Sequence, residues 1–450
     1  MAEPDRTGTA ARPLRVAVVG SGPAGFFAVG TLLGVPHVEV DLFERLPTPF
    51  GLLRYGVAPD HPTVKQVARR FARAAAAPAL RFVGNVEVGS NLPVDALESA
   101  YDAILWAHGA PGDKALGLPG EALPAVWSST AFTGFVNGHP DFAGARPDWS
   151  AVRDVVVIGN GNVALDCARL LLKDRAALAL TDIAAPAHRA LAGAPVEAVT
   201  LLGRRGPADA SFTAVELREL LGLPGLTVTL EGPAEGLGRA DAPAGSCAAL
   251  LAEAAARPAV PGGKRLSFAF FEAPTAFAST ADGGVSIHTQ RTQRGPDGRA
   301  LAAGALEPRR AGLVVRAVGF EARPVPGLPW DPAARRVPSD GPRVLAAPGG
   351  APRPGHFITG WARRGPTGVV GTNRADAEEA VTALLDAHLG QPARPLGPRP
   401  QVALAAAGHR LVDWAAWERL DAAERGAGEA AGRPRDKLWT VEAMLDAAGV

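Results

Sequence analysis

Two stretches of this chain place glycines where the pyrophosphate of a dinucleotide could be held: Val16-Ala-Val-Val-Gly20-Ser-Gly22-Pro23-Ala24-Gly25 and Val155-Val-Val-Ile-Gly159-Asn160-Gly161-Asn162-Val163-Ala164. In each, a β-branched strand runs into a glycine turn that opens a helix, so backbone N–H groups and the positive helix end converge on phosphate oxygens. Two such sites in one chain imply electrons passing between two nucleotides, which is oxidoreductase chemistry.

The strands that follow the two loops differ, and the difference separates the nucleotides. Val38-Glu-Val-Asp-Leu-Phe-Glu44 ends about 20 residues beyond the first loop, where Glu44, with Arg45 beside it, can accept hydrogen bonds from both ribose hydroxyls of FAD or NAD. Val199-Thr-Leu-Leu-Gly-Arg204-Arg205 stands at the corresponding place after the second loop. Two guanidiniums there can grip a 2′-phosphate that a carboxylate would repel, so the second nucleotide reads as NADP.

The elements that must position these loops follow an α/β pattern. The strand-like segment 101–110 closes the first dinucleotide unit, and Leu313-Val-Val-Arg-Ala-Val-Gly319-Phe320 repeats that closing pattern after the second. The order predicts one Rossmann-like domain inserted into another, with residues 14–110 and 321–450 forming the first and 111–320 the second. Residues 1–13 carry mixed charge without an apolar run and read as an unstructured, cytosolic N-terminus rather than a signal peptide. Residues 232–263 are rich in Pro, Gly and Ala and read as an irregular excursion. Apolar residues recur at helical spacing over 408–420, which predicts a helix docked on a core.

Composition mainly excludes. The chain has 450 residues, 47% of them hydrophobic, and a formal net charge of +1, so nothing global points to nucleic acid or a membrane surface. No apolar run is long enough to span a bilayer. The two cysteines, Cys167 and Cys247, form no Cys-x-x-Cys pair and cannot supply four thiolates for an iron–sulfur cluster. Electrons therefore leave from the flavin itself, and no metal site is expected.

Longer blocks carry a resemblance. Leu46-Pro-Thr-Pro-Phe-Gly51-Leu52-Leu-Arg-Tyr-Gly56-Val-Ala-Pro-Asp-His61-Pro, Gly159 to Asp166, Gly203-Arg-Arg-Gly-Pro207, Phe212-Thr-Ala-Val-Glu216-Leu-Arg-Glu-Leu, and Gly360-Trp361-Ala-Arg-Arg-Gly-Pro-Thr-Gly368-Val369-Val370-Gly-Thr-Asn373 occur in one order. In them the chain resembles the adrenodoxin reductase-like family of ferredoxin–NADP reductases. The resemblance implies a fold of the glutathione reductase-like superfamily, with FAD in the outer domain, NADP(H) in the inserted one, and a ferredoxin-type iron–sulfur protein as partner. It places Ala24, Glu44, Leu52, Val88, Trp361, Gly368, Val369 and Val370 on FAD. It places Asn160, Gly161, Asn162, Val163, Arg204, Arg205 and Glu216 on NADP, with Gly368 near both. His61 and Glu216 are implied at the meeting point of nicotinamide and flavin, as positioning groups, because hydride transfer needs no general base. The family usually has Thr where this chain has His108. A flavin monooxygenase, or a redox sensor that binds both nucleotides without turnover, would share both fingerprints.

Overall fold

The computed structural model describes residues 6–144, 147–233, 243–368 and 370–450. They divide into two compact units. One comprises the chain up to Val57, His61–Gly112 and Phe320–Val450, and the other Ala58–Asp60 and Asp113–Gly319.

The first unit is organised by a seven-stranded sheet. Strand β1 (Leu14–Val19) lies between β2 (Val38–Glu44) and β4 (Ala103–Trp106), with β3 (Leu80–Gly84) beyond β2, and all four run parallel. After the second unit the chain returns through Pro352–Ile358, which pairs parallel to β4, and the short strands Arg343–Leu345 and Ser339–Asp340 complete the edge. Val16, Ala17 and Val18 are fully buried and Val19 nearly so, which is why β1 reads as an unbroken apolar run from Val16 on rather than an alternating one. Helix α1 (Pro23–Leu32) and helix Thr372–His388 cover one face through Phe26, Val29, Val381 and Leu384. The helix expected near 408–420 occupies Trp414–Ala430 and seals the same core with Trp417 and Leu420.

Residues 6–13 correct the expectation of an unstructured N-terminus over their span; residues 1–5 lie outside the described residues. Arg12 grips Asp102 with two hydrogen bonds of 3.0 and 2.8 Å, and the Thr7 N–H donates to Gln391 O at 3.0 Å. Asp102 is buried and also accepts from the Arg15 N–H, so its carboxylate gives the N-terminal cation a fixed partner that local sequence does not reveal.

The second unit holds a six-stranded, all-parallel sheet. Its strands in chain order are β5 (Val126–Ser128), β6 (Asp154–Ile158), β7 (Ala198–Gly203), β8 (Leu226–Glu231), β9 (Lys264–Phe270) and β10 (Leu313–Arg316), and in space they run β5-β10-β6-β7-β9-β8. A smaller antiparallel sheet, built on Glu272–Ser279 and Val285–Arg294, was not anticipated. Within the stretch expected to be irregular, Cys247–Ala255 is a helix capped by Ser246, with Leu251 and Ala254 buried; residues 234–242 lie outside the described residues. The run Ala248-Ala-Leu-Leu-Ala is a strong helix former, and the Pro and Gly around it concealed the signal. No helix among the described residues is long and apolar enough to cross a membrane.

A buried polar chain under the first sheet makes this unit sensitive to acid. The Trp106 indole N–H donates to His356 Nδ1 at 3.1 Å, which leaves Nε2 to carry the proton toward Glu98 at 2.9 Å. His356 is 2% exposed, and burial, helped by the Arg353 charge, pushes its pKa down to about 4. The unfolded chain therefore binds a proton that the native protein refuses between about pH 6.5 and 4. Stability from this residue is complete above pH 6.5 and falls by on the order of 3 kcal/mol as pH drops through that window. Urea denaturation of wild type and His356→Gln at pH 7.5 and 4.5 checks this: the wild type loses more on acidification, and equal losses would contradict it.

Candidate functional site

The first glycine loop joins β1 to α1 in the first unit. Gly20 has φ +105°, and a Cβ there would lie 2.6 Å from the Ala107 carbonyl oxygen, so only glycine permits this approach to the end of β4. Pro23 opens α1 where its missing N–H is no loss. No side chain caps this helix and its first turn holds no acid, so its free N–H groups remain available to an anion. The Ser21 N–H and hydroxyl donate to Glu44 Oε2 at 3.1 and 2.6 Å, and the Leu46 N–H donates to Oε1 at 3.1 Å. Glu44 is thus fixed as an acceptor directly beside the loop.

Two other segments close on the same loop. The Phe50 N–H donates to Ser21 O at 3.0 Å, which sets Gly51 and the half-exposed Leu52 against it. A Cβ on Gly360 would stand 2.6 Å from that of Ala24, so the turn after the returning strand packs on the start of α1. Trp361 begins the short helix Trp361–Arg364, donates from Nε1 to Thr367 O at 3.0 Å, and stacks on Phe320 with ring centroids 5.6 Å apart. Gly368 follows with φ +80°, Val370 packs on the core, and Val369 lies outside the described residues. Val88 is buried in the core that holds Trp106 and Ile104, while Arg45 is exposed. His61, partly buried, precedes the short helix Pro62–Lys65 without capping it.

The second loop joins β6 to helix α2 (Asn162–Leu172) in the second unit. Gly159, φ +137°, meets the Ala317 carbonyl so closely that a Cβ would collide with it. Here too the helix start has no side-chain cap and no acid. Asn160 and Asn162 tie the loop to the segment that follows Arg205. Asn160 O accepts from the Ser211 N–H at 2.8 Å, and Asn162 Oδ1 accepts from the Thr213 N–H at 2.8 Å. Thr213 then caps helix α3 (Ala214–Leu221), which places Glu216 in its first turn. Arg204 and Arg205 follow β7 and are exposed, and neither side chain has an ion pair among the described residues.

Sequence reasoning missed the largest electrostatic feature of this unit. Arg169, on α2, is fully buried and pairs with Asp60 through two 2.9 Å hydrogen bonds, with Asp166 at 2.7 Å, Glu219 at 3.5 Å and Glu216 at 3.8 Å. Lys173 adds a 2.8 Å bond to Asp60. Burial alone would raise the Asp60 pKa, but hydrogen bonds from Arg169 and Lys173 hold it well below the carboxylate range. The available signal was an Asp and an Arg three residues apart inside the largely apolar Val163-Ala-Leu-Asp-Cys-Ala-Arg-Leu stretch. Cys167, in that stretch, is fully buried and burial pushes its thiol up, so it is a core residue; Cys247 is also unpaired.

No family model matches the chain. Among proteins of known name, it is 41% identical over 459 residues to NADPH-ferredoxin reductase FprA of Mycobacterium tuberculosis, covering 96% of this chain and 99% of that protein. It is 38% identical over 456 residues to the mitochondrial NADPH:adrenodoxin oxidoreductase of Homo sapiens, covering 96% and 91%. The solved structure of Mycobacterium tuberculosis FprA in complex with NADPH superposes with a TM-score of 0.87 at 38% identity, over 98% of this chain and all of that one.

Proposed function

The chain belongs to the adrenodoxin reductase-like family of ferredoxin–NADP reductases, and from that premise we propose that it is an FAD-dependent NADPH:ferredoxin oxidoreductase. The observation that carries the reading is the inequality of the two glycine loops. One is tied to a carboxylate, Glu44, and the other is followed by two exposed, unpaired guanidiniums. A resident FAD belongs at the first and NADPH, the hydride donor, at the second.

The first loop suits FAD on its own evidence. The cradle at Gly20 leaves no space for a Cβ, the donors at the start of α1 are uncapped, and the fully buried Thr359 hydroxyl, just past the returning strand, has no partner among the described residues. Gly20, Gly22, Pro23, Ala24 and Gly25 would form the pyrophosphate cradle, and Glu44 would hold the ribose. Trp361, Gly368 and Val370 would flank the isoalloxazine, the indole offering a flat amphipathic face. When bound, FAD supplies a two-electron acceptor that can return electrons singly to an iron–sulfur protein.

The chain's own contribution is orientation and charge. Arg204 and Arg205 anchor the 2′-phosphate of NADPH far from the reacting ring, and Asn160 to Val163 receive its pyrophosphate at the start of α2. Glu216, in the first turn of α3, and His61, beside the Pro62–Lys65 helix, are the residues we assign to orienting the nicotinamide. With no cysteine pair to receive electrons internally, the acceptor is a separate ferredoxin-type protein.

An absorbance spectrum followed by anaerobic titration tests both halves. The purified protein is expected to be yellow, to be bleached by stoichiometric NADPH, and to reduce cytochrome c only when ferredoxin is added. A protein without flavin, or one reduced equally well by NADH, would overturn the reading. NADPH oxidation coupled to a hydroxylated product would favour the monooxygenase, and nucleotide binding without flavin reduction the sensor.

A further inference from the structure

The proposed function leaves unused a histidine of the first unit whose ring nitrogens are buried. His108 stands two residues beyond β4, at the carboxyl edge of the parallel sheet where ligands of such folds lie. Its Cα is 2.8 Å from where a Cβ on Gly20 would be, so its backbone abuts the first glycine loop. Both ring nitrogens are buried and neither has a hydrogen-bond partner among the described residues. The ring is held in place by Trp106, which it meets edge to face at 5.9 Å, and Trp106 is itself stacked on His356 and bonded to it. A buried group with an unmet donor and an unmet acceptor is unfavourable unless something supplies both.

The strand order indicates what supplies them. Glu44 ends β2 on one side of β1, and β4 and the returning strand lie on the other. A dinucleotide with its ribose at Glu44 and its pyrophosphate at the start of α1 must continue over the ends of β4 and the returning strand. There the backbone N–H of Thr359 donates to Trp106 O at 2.9 Å, and its buried hydroxyl also has no hydrogen-bond partner among the described residues. We propose that His108 is a ligand of the flavin nucleotide, its imidazole hydrogen-bonding the ribityl–phosphate segment beside the first glycine loop. Burial pushes the imidazole pKa down to about 4, so at neutral pH the ring has one donor and one acceptor, matching hydroxyl and phosphate groups that can meet either.

The inference rests on FAD being the resident cofactor, and the experiment separates the two. FAD release from the holoenzyme after dilution is followed by the gain in flavin fluorescence. His108→Leu is expected to release FAD about 5- to 30-fold faster, the loss of one or two net hydrogen bonds, while His108→Gln, which keeps a donor and an acceptor, stays within about threefold of wild type. In the wild type labelled with ¹⁵N-histidine, the two His108 ring signals, assigned by their absence in His108→Gln, are expected to shift when FAD is removed and to return when it is restored. Release from His108→Leu within twofold of wild type, or ring signals indifferent to FAD, would overturn the proposal. Should His108→Leu fail to fold, the ring signals of the wild type decide alone. A wild-type protein that neither contains nor binds FAD would instead remove the premise.

Discussion

Replacing Arg204 and Arg205 together with alanine is expected to raise the NADPH concentration for half-maximal flavin reduction by about 100- to 1000-fold, while the NADH value changes by less than about threefold. Each guanidinium can make charge-assisted hydrogen bonds to a 2′-phosphate, worth roughly 1.5 to 3 kcal/mol to a charged partner, and NADH lacks that group. Exposure of both side chains tempers the gain, because charges in contact with water are screened. The NADPH value of the wild type should therefore climb with salt and that of the double variant should not. The absence of an ion pair at either residue among the described residues matters to the size of the effect. An arginine already held by a carboxylate would have to exchange partners, whereas these gain one outright. Lysine at both positions should recover only part of the loss, since an ammonium cannot bind bidentately. Equal damage to NADPH and NADH use would show that the pair supports the fold and does not read the phosphate.

Features written in local chemistry were legible beforehand, and features made by distant pairing were not. A β-branched strand, a glycine turn and a helix start fall within ten residues, so both loops, and the arginines that end β7, could be read from the chain. The ordering of residues 6–13 depends on Asp102, some 90 positions away, and the Trp106–His356 bond spans 250. Nothing in the periodicity around those residues encodes their partners. His108 was visible only as a departure from a family pattern; its orphaned nitrogens and the restraint imposed by Trp106 belong to the packing. Glu44 shows the intermediate case. Its role as an acceptor was readable from its distance beyond the loop, but not its bonds to Ser21 and Leu46, which fix the carboxylate before any nucleotide arrives.

Arg169 is the clearest feature of this second kind, and its replacement by methionine is expected to destabilise the second unit by about 3 to 5 kcal/mol. Methionine fills much of the same volume, so the loss is not chiefly a cavity. What remains is a set of carboxylates, Asp60 at 1% side-chain exposure with Lys173 as its one remaining cation among the described residues and Asp166 at 19%, that have lost the guanidinium compensating their burial. For a unit of this size the change lowers the melting temperature by roughly 6 to 20 °C, readable by scanning calorimetry. The pH dependence identifies the cause. Asp60 is held ionised in the native state below the pKa it has when unfolded, so its contribution is complete above about pH 4 and is lost as pH falls toward its depressed native value. In the variant the carboxylates are penalised when ionised and relieved when protonated. The difference between wild type and Arg169→Met should therefore narrow as pH falls below about 4, and adding Asp60→Asn to the variant should restore part of the loss at pH 7. A difference that stays constant with pH and is untouched by the second substitution would mean that Arg169 matters for its packing, not its charge. The outcome bears on the proposed function because the same guanidinium stands 3.8 Å from Glu216, the carboxylate we propose for the nicotinamide. On that proposal Arg169 also sets the field around the carboxylate, and its loss is expected to weaken NADPH binding even in molecules that remain folded, which a titration of the folded variant checks.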